Sequence, residues 1–142
     1  MTEADLDAVL LIELSSFPVP WKREHFRHEI NAPHSFPFVA ECDGEIAGYV
    51  CLMSLFEEAQ ILDIAVGVDQ RGRGVGRLLM ETAFAVAKEK GAEIMALEVR
   101  ESSAAAIGLY QALGFERVGI RANYYESKEN AVLMEISIKE KT

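Results

Sequence analysis

Two segments of this 142-residue chain carry residue types whose spacing could do chemistry. The first is Arg71-Gly72-Arg73-Gly74-Val75-Gly76-Arg77. It follows the apolar run Ile61-Leu62-Asp63-Ile64-Ala65-Val66 and leads into an amphipathic pattern from Leu78 to Ala87. A strand, a glycine-rich turn and a helix start bring free backbone N–H groups and the positive end of a helix dipole to one place. Guanidinium groups beside them suit a pyrophosphate. The glycines alternate, so the segment fits neither the dinucleotide fingerprint nor the P-loop. The plainer alternative is a tight turn that needs glycine and binds nothing.

The second segment is Leu97-Glu98-Val99-Arg100, followed by Ser102-Ser103, Leu109-Tyr110 and Leu113-Gly114-Phe115. A central strand covered on both faces is continuously apolar, so the carboxylate of Glu98 is out of place there. Such a group could serve as a general base. It could also lie at an edge, face solvent, or pair with Arg100 on one strand face. Tyr110 follows on the next helix, and a phenol with a reference pKa of about 10 can donate a proton at neutral pH. A tyrosine on a mostly buried helix, however, is more often a core residue than a catalyst. Asp63, also within an apolar run, is a rival base, or else a bulge or sheet-edge residue.

These residues need elements to position them. Thr2 caps a first helix running to about Ser15, with Asp5 completing a weak capping box. Pro18 and Pro20 interrupt, and Trp21 to Ile30 reads as a second short helix. Phe36–Cys42 and Glu45–Leu55 are strands joined at Asp43-Gly44, and Gln60–Val66 is a third. A helix from about Gly74 to Lys90 stops at Gly91. Ile94–Val99 is a strand, Ser102 or Ser103 caps a helix through Leu113, and Phe115–Arg121 and Ala131–Ile138 are the last two strands. The order predicts an α+β, mixed α/β sheet, mostly antiparallel, with a parallel pair in its middle and about four flanking helices.

Composition narrows the function. The length fits a single domain over 1–142. The net charge of −9 argues against nucleic-acid binding and permits a cationic substrate. No apolar run approaches the roughly 20 residues that cross a bilayer, and the acidic start is wrong for a secretory signal. Cys42 and Cys51 form neither a disulfide framework nor metal-site spacing. We therefore expect a cytoplasmic protein without metal or membrane partner, its oligomeric state left open.

Taken together, the segments resemble the GNAT superfamily of acetyl-CoA-dependent N-acetyltransferases. The superfamily's pyrophosphate motif, Q/R-x-x-G-x-G/A, is matched by Arg71 through Gly76. Within the superfamily the chain resembles the RimI group, the ribosomal-protein alanine N-acetyltransferases. Phe17 with Pro20-Trp21, Asp63 to Val66, Leu97 to Arg100, Ala104 to Ile107, Leu109-Tyr110, Leu113 to Phe115 and Arg121 with Asn123-Tyr124-Tyr125 carry that likeness, from about Thr2 to Ile138.

The resemblance implies that Glu98 is the general base and Tyr110 the general acid. Main-chain groups of Ile64, Ala65 and Val66 would pair with the pantetheine arm. Arg71, Gly72, Arg73, Gly74, Val75, Gly76 and Arg77 would hold the pyrophosphate, and the sheet would splay between its third and fourth strands to admit acetyl-CoA as co-substrate. The implied reaction is direct attack on the thioester by a protein N-terminal α-amine, that of the N-terminal alanine of a small-subunit ribosomal protein. A small amine, a lysine side chain, or a non-catalytic acyl-CoA-binding module are the alternatives.

Three departures from the family pattern stand out. Ser102-Ser103 replaces the usual Ser-Asn, so Ser103 takes the place of an asparagine that contacts the cofactor. The short strand that normally precedes the first helix is missing, which predicts a sheet one strand short. Glu129-Asn130 replaces Glu-Asp before the last strand.

Overall fold

The computed structural model describes residues 1–138. A 3-10 turn at Glu3–Asp5 leads into α1 (Leu6–Ser16), followed by α2 (Arg23–Asn31), β1 (Ser35–Cys42), β2 (Glu45–Leu55) and β3 (Glu58–Val66). A second 3-10 turn, Val68–Gln70, precedes α3 (Val75–Glu89), β4 (Ile94–Arg100), α4 (Ala104–Ala112), β5 (Glu116–Tyr125) and β6 (Glu129–Ser137). The strands form one sheet in the order β1-β2-β3-β4-β6-β5. Among the described residues only the β3–β4 pair is parallel, and the other four pairs are antiparallel. This is the expected α+β architecture, with the expected element order and four α-helices.

A hydrophobic core lies on each face of the sheet. One face is covered by α3 and α4, through Leu79, Met80, Ala83 and Ala87 of α3 and Ile107 and Tyr110 of α4, against Val50, Leu52, Met95, Leu97, Val99, Val132 and Met134. The small side chains Ala83 and Ala87 let α3 approach the strands closely. Gly48 of β2 lies beneath this helix, and a Cβ there would sit 2.7 Å from the Ala65 carbonyl oxygen and 3.2 Å from Leu79 Cδ1. The opposite face is covered by Leu6, Val9 and Ile12 of α1 and Phe26 of α2, against Tyr49, Cys51 and Ala65. Both cysteines are free, Cys51 buried and Cys42 partly so.

Several boundaries differ from expectation. The first helix opens as a 3-10 turn, with the Asp5 carboxylate accepting the Thr2 N–H at 2.7 Å. β3 begins at Glu58 because a two-residue turn, Phe56-Glu57, joins it to β2; Phe56 takes φ 55° there without a glycine to signal it. β5 continues to Tyr125 because an irregularity, with Asn123 at φ 52°, lets the strand resume pairing. Ser103 occupies the cap position of α4, but its hydroxyl makes no capping bond. Among the described residues no strand precedes Glu3; the Met1 ammonium donates to the Pro37 carbonyl of β1 at 3.0 Å. The last four positions of the expected 1–142 domain lie outside the described residues.

Candidate active site

The feature that makes the site is a short ladder. β3 and β4 pair over Glu58–Gln60 and Ile94–Ala96 and then part. Beyond the last pair, Ile61 to Ile64 on one strand and Leu97 to Arg100 on the other line a cleft of about 560 Å³. Ser16 to Trp21, at the end of α1 and beyond it, close one side, and Tyr124, Tyr125 and Glu126 close another.

The parting begins beside a bulge. Cys51 of β2 faces Asp63, whereas Leu52 faces Ile61, so Leu62 is the extra residue. Bulges bend the strand that carries them. This one also shifts the alternation. Ala59 and Ile61 pack toward α3 and α4, whereas Ala65 packs toward α1 and α2, as Leu62 does. Asp63 thereby reaches the face that holds Glu13.

The two residues expected to act as base and acid arrive from opposite layers. Leu97 and Val99 of β4 belong to the α3–α4 core, so strand alternation puts Glu98 on the other face. Tyr110 belongs to the α3–α4 layer and is 6% exposed. Both line the cleft, because the gap between β3 and β4 opens through the sheet. Glu98 is 22% exposed at its side chain, and its Oε1 lies 3.4 Å from Nη1 of Arg121. The alternative pairing with Arg100 is not formed. Arg100 instead binds Glu126 at 2.8 Å and Glu129 at 3.2 Å and lies over the Tyr125 ring, 4.4 Å from its centroid. Burial, then the charge of Asp63, then Tyr125, push Tyr110 up to about 12, so it holds its proton at neutral pH. Burial, and then the Glu13 carboxyl, push Asp63 up to about 10, so at neutral pH it is no base. Cys51 is no nucleophile either, since burial pushes its thiol well above the ordinary range.

The phosphate-type turn lies where β3 ends. Gly72 and Gly74 take φ 77° and 81°, the left-handed region in which a side chain is strained although each has open space around it. Gly74 is the cap of α3, and the first bond within the helix runs from the Leu78 N–H to its carbonyl at 3.0 Å. The N–H groups of Val75, Gly76 and Arg77 come before that bond and have no partner within the helix. No side chain caps this end and no acidic residue lies in its first turn. The residues present therefore fit an anionic, phosphorylated group. The arginines differ: Arg71 donates through Nε to the Val66 carbonyl at 3.1 Å and approaches Ser16 Oγ at 3.4 Å. Arg73 reaches Gln70 at 3.4 Å, and Arg77 pairs with Glu81 at 3.1 Å.

Of the residues expected at the site, Ile64, Glu98, Ser103 and Tyr110 line the one cleft, while Ala65, Val66 and Arg71 to Arg77 continue from it along β3 into the turn. Gly76 sits where a Cβ would be 3.4 Å from Leu109 of α4 and 3.8 Å from Val66, so the start of α3 adjoins both walls. The replaced pair Glu129-Asn130 is fully employed. Glu129 accepts the Ser102 N–H at 2.8 Å, and Asn130 accepts the Asn123 N–H at 3.0 Å and donates to Glu101 at 3.3 Å. Glu13 and Tyr49 were not foreseen. Both are buried, Glu13 lining the cleft and Tyr49 bonded to it, and the one signal was a carboxylate within the apolar run Leu10 to Leu14. Among the described residues no group of His, Cys, Asp and Glu could hold a metal ion.

The profile of the acetyltransferase (GNAT) family matches residues 6–115. A Bacillus subtilis (strain 168) protein, provisionally named a ribosomal protein bS18-alanine N-acetyltransferase, is 41% identical over 138 residues, covering 96% of this chain and 91% of its own. The ribosomal protein bS18-alanine N-acetyltransferase of Escherichia coli (strain K12) is 34% identical over 137 residues, covering 94% and 92%. The crystal structure of the Escherichia coli ribosomal-protein-S18-alanine N-acetyltransferase superposes with a TM-score of 0.91 at 32% identity, covering 100% of this chain and 93% of that one.

Proposed function

The chain belongs to the acetyltransferase (GNAT) family, and on that footing we propose that it acetylates the α-amine of a protein N-terminus, that of an alanine beginning a small-subunit ribosomal protein. It is an N-acetyltransferase, and its co-substrate is acetyl-CoA. The acceptor assignment follows the names of its relatives. The observation that carries the mechanism is the meeting of Glu98 and Tyr110 in one cleft from opposite faces of the sheet.

An α-amine with a pKa of about 7.7–8.0 is mostly ammonium at neutral pH, so it must lose a proton before attack. Glu98 takes that proton, directly or through one water. The nitrogen then bonds to the thioester carbonyl carbon, and the carbon–sulfur bond breaks. Tyr110 donates its phenolic proton to the departing thiolate. A thiol has a reference pKa of about 8.5, and Tyr110, pushed up to about 12, keeps its proton until the thiolate departs. The start of α3, with Arg71 to Arg77, holds the pyrophosphate; Ile64, Ala65 and Val66 lie along the pantetheine arm, and Ser103 faces it. No covalent enzyme intermediate is required, and we infer none. We assign the reaction to the cytoplasm and to residues 1–142 acting as one domain, without nucleic-acid or membrane partner; no helix among the described residues is long and apolar enough to cross a membrane.

The test is to incubate the protein with acetyl-CoA and peptides beginning Ala-Arg, Met or Ser, and with an internal-lysine peptide, and to read mass gains of one acetyl group. The Ala-Arg peptide should react first. Acetylation of the lysine peptide alone would move the acceptor to a side chain, and tight acetyl-CoA binding without product would indicate a binding module.

A further inference from the structure

The mechanism leaves one buried cluster unused. Glu13 of α1 is 2% exposed, and its two carboxylate oxygens reach different elements. Oε2 accepts the Trp21 N–H at 2.8 Å, and Oε1 accepts the Tyr49 hydroxyl of β2 at 2.5 Å. Asp63 of β3 is 9% exposed, the Glu13 carboxyl is the side chain that acts on it, and its Oδ2 has no hydrogen-bond partner. Tyr49 is fully buried. The cluster joins α1, β2, β3 and the segment after α1, and both acids line the cleft.

We propose that Glu13 and Asp63 share a single proton, and that this pair is the positioning device for the Phe17–Trp21 segment, the wall of the cleft against which the acceptor lies. The role of that wall rests on the function proposed above.

Two carboxylates in one desolvated site cannot both ionise cheaply. The groups that act on Asp63 are Glu13 and the Ile64 N–H. Around the pair stand Tyr49 and Cys51 of β2 and Tyr110 of α4, while Glu29 of α2 and the Met1 ammonium act on Cys51. A proton on Asp63 removes the second charge and converts its orphaned oxygen into a donor with Glu13 as acceptor. Glu13 then accepts from Asp63 as well as from the Trp21 N–H and the Tyr49 hydroxyl. A carboxylate has about four lone-pair sites, so three donors suit it.

The wall depends on this anchor. Pro18 and Pro20 have no N–H to give, and the Trp21 N–H bond to Glu13 fastens the segment to α1 at its far end. Through Tyr49 and Asp63 the same carboxylate fastens it to two strands of the sheet. The bulge at Leu62 is what brings Asp63 to that face.

The test uses the full chain and two substitutions at one position. Asp63→Asn keeps a donor for Glu13 and cannot titrate; Asp63→Leu keeps the bulk and removes the donor. The infrared difference spectrum of wild type minus Asp63→Asn, recorded at pH 7 without substrate, should contain the carbonyl stretch of a protonated carboxylic acid. In steady-state assays at saturating acetyl-CoA, Asp63→Leu should raise the acceptor KM about tenfold, the scale of one lost hydrogen bond. Its kcat and its KM for acetyl-CoA should change far less, and Asp63→Asn should restore most of what Asp63→Leu loses. Absence of the protonated-acid band would overturn the shared proton. An acceptor KM raised equally by both substitutions would overturn the positioning role. Because the band is read without substrate, a protein inactive on every amine would count against the proposed function and not against the pair.

Discussion

Arg121 of β5 reaches over β6 to place Nη1 3.4 Å from Oε1 of Glu98 on β4, so an ion pair two strands wide holds the expected base at the mouth of the cleft. A carboxylate held this way can take a proton from an incoming ammonium without itself moving. Glu98→Gln keeps the shape and loses the proton acceptor. Turnover should fall by about 10²–10⁴, the usual contribution of a general base, and the acidic limb of the pH–rate profile should flatten. Calorimetry should find coenzyme A affinity nearly unchanged. Kinetics equal to wild type would remove Glu98 from the mechanism.

Tyr110→Phe separates acid catalysis from packing. The ring keeps its place 5.8 Å from Phe115, so the fold should hold. With acetyl-CoA, kcat should drop by about 10² or more. With an acetyl thioester of a more acidic thiol, which leaves without help, the drop should shrink. An equal loss with both donors would mean that Tyr110 does not protonate the leaving group.

At Gly72 the constraint is conformational, not steric, since φ is 77° and a Cβ there would meet nothing within 4 Å. Asn tolerates the left-handed region and Val does not. Gly72→Val should raise the KM for acetyl-CoA by a factor of about 5–30, corresponding to roughly 1–2 kcal/mol of strain, while Gly72→Asn should change it little. Comparable effects from both would show that space around the turn matters more than its backbone.

Stability should depend on pH through Asp63. Its carboxyl sits at about 10 in the folded chain, against an ordinary value of 3.8. Between these values the folded state holds a proton that the unfolded state has released. The sign follows: stability from this group is fully present below pH 3.8 and is lost progressively as pH rises toward about 10. Asp63→Asn has no such proton to lose. Urea melts should find it more stable than wild type at pH 8, by about 1–4 kcal/mol, with the gap narrowing at pH 4. A gap that stays constant with pH would contradict the raised value.

Cofactor should stabilise the chain where the sheet is unpaired. At a hundredfold excess over Kd, coenzyme A should add about 2.7 kcal/mol to unfolding. Amide exchange should slow between Ile61 and Val66 and across the α3 start, and less along β1. Protection confined to the α3 start would place the pyrophosphate there but leave β3 out of cofactor binding.

The candidate site was legible where its signals are local. Gly72, Gly74 and Gly76 announce a turn, and Glu98 stands out within Ile94–Val99, since each depends on a few neighbouring residues. The splay was expected only through family resemblance, because the length of a parallel ladder is decided by strands far apart in the chain. Glu13 and Tyr49 were missed for the same reason: they meet across 36 residues. Glu13 showed the same anomaly as Glu98, a carboxylate in an apolar run, but a helix interior hides it better than a strand does. The turn at Phe56-Glu57 carries no glycine, and the pairing after Asn123 depends on the Asn130 side chain of the next strand.

Leu62 can also be counted as a surplus. On either side of it, β3 meets β2 in regular register, and deleting it would join Ile61 to Asp63 without turning any side chain to the other face. The ladder between β3 and β4 stops at Gln60, two residues before that surplus. One extra residue in the middle of a strand stands beside the place where this sheet stops closing, and the open part is the candidate site.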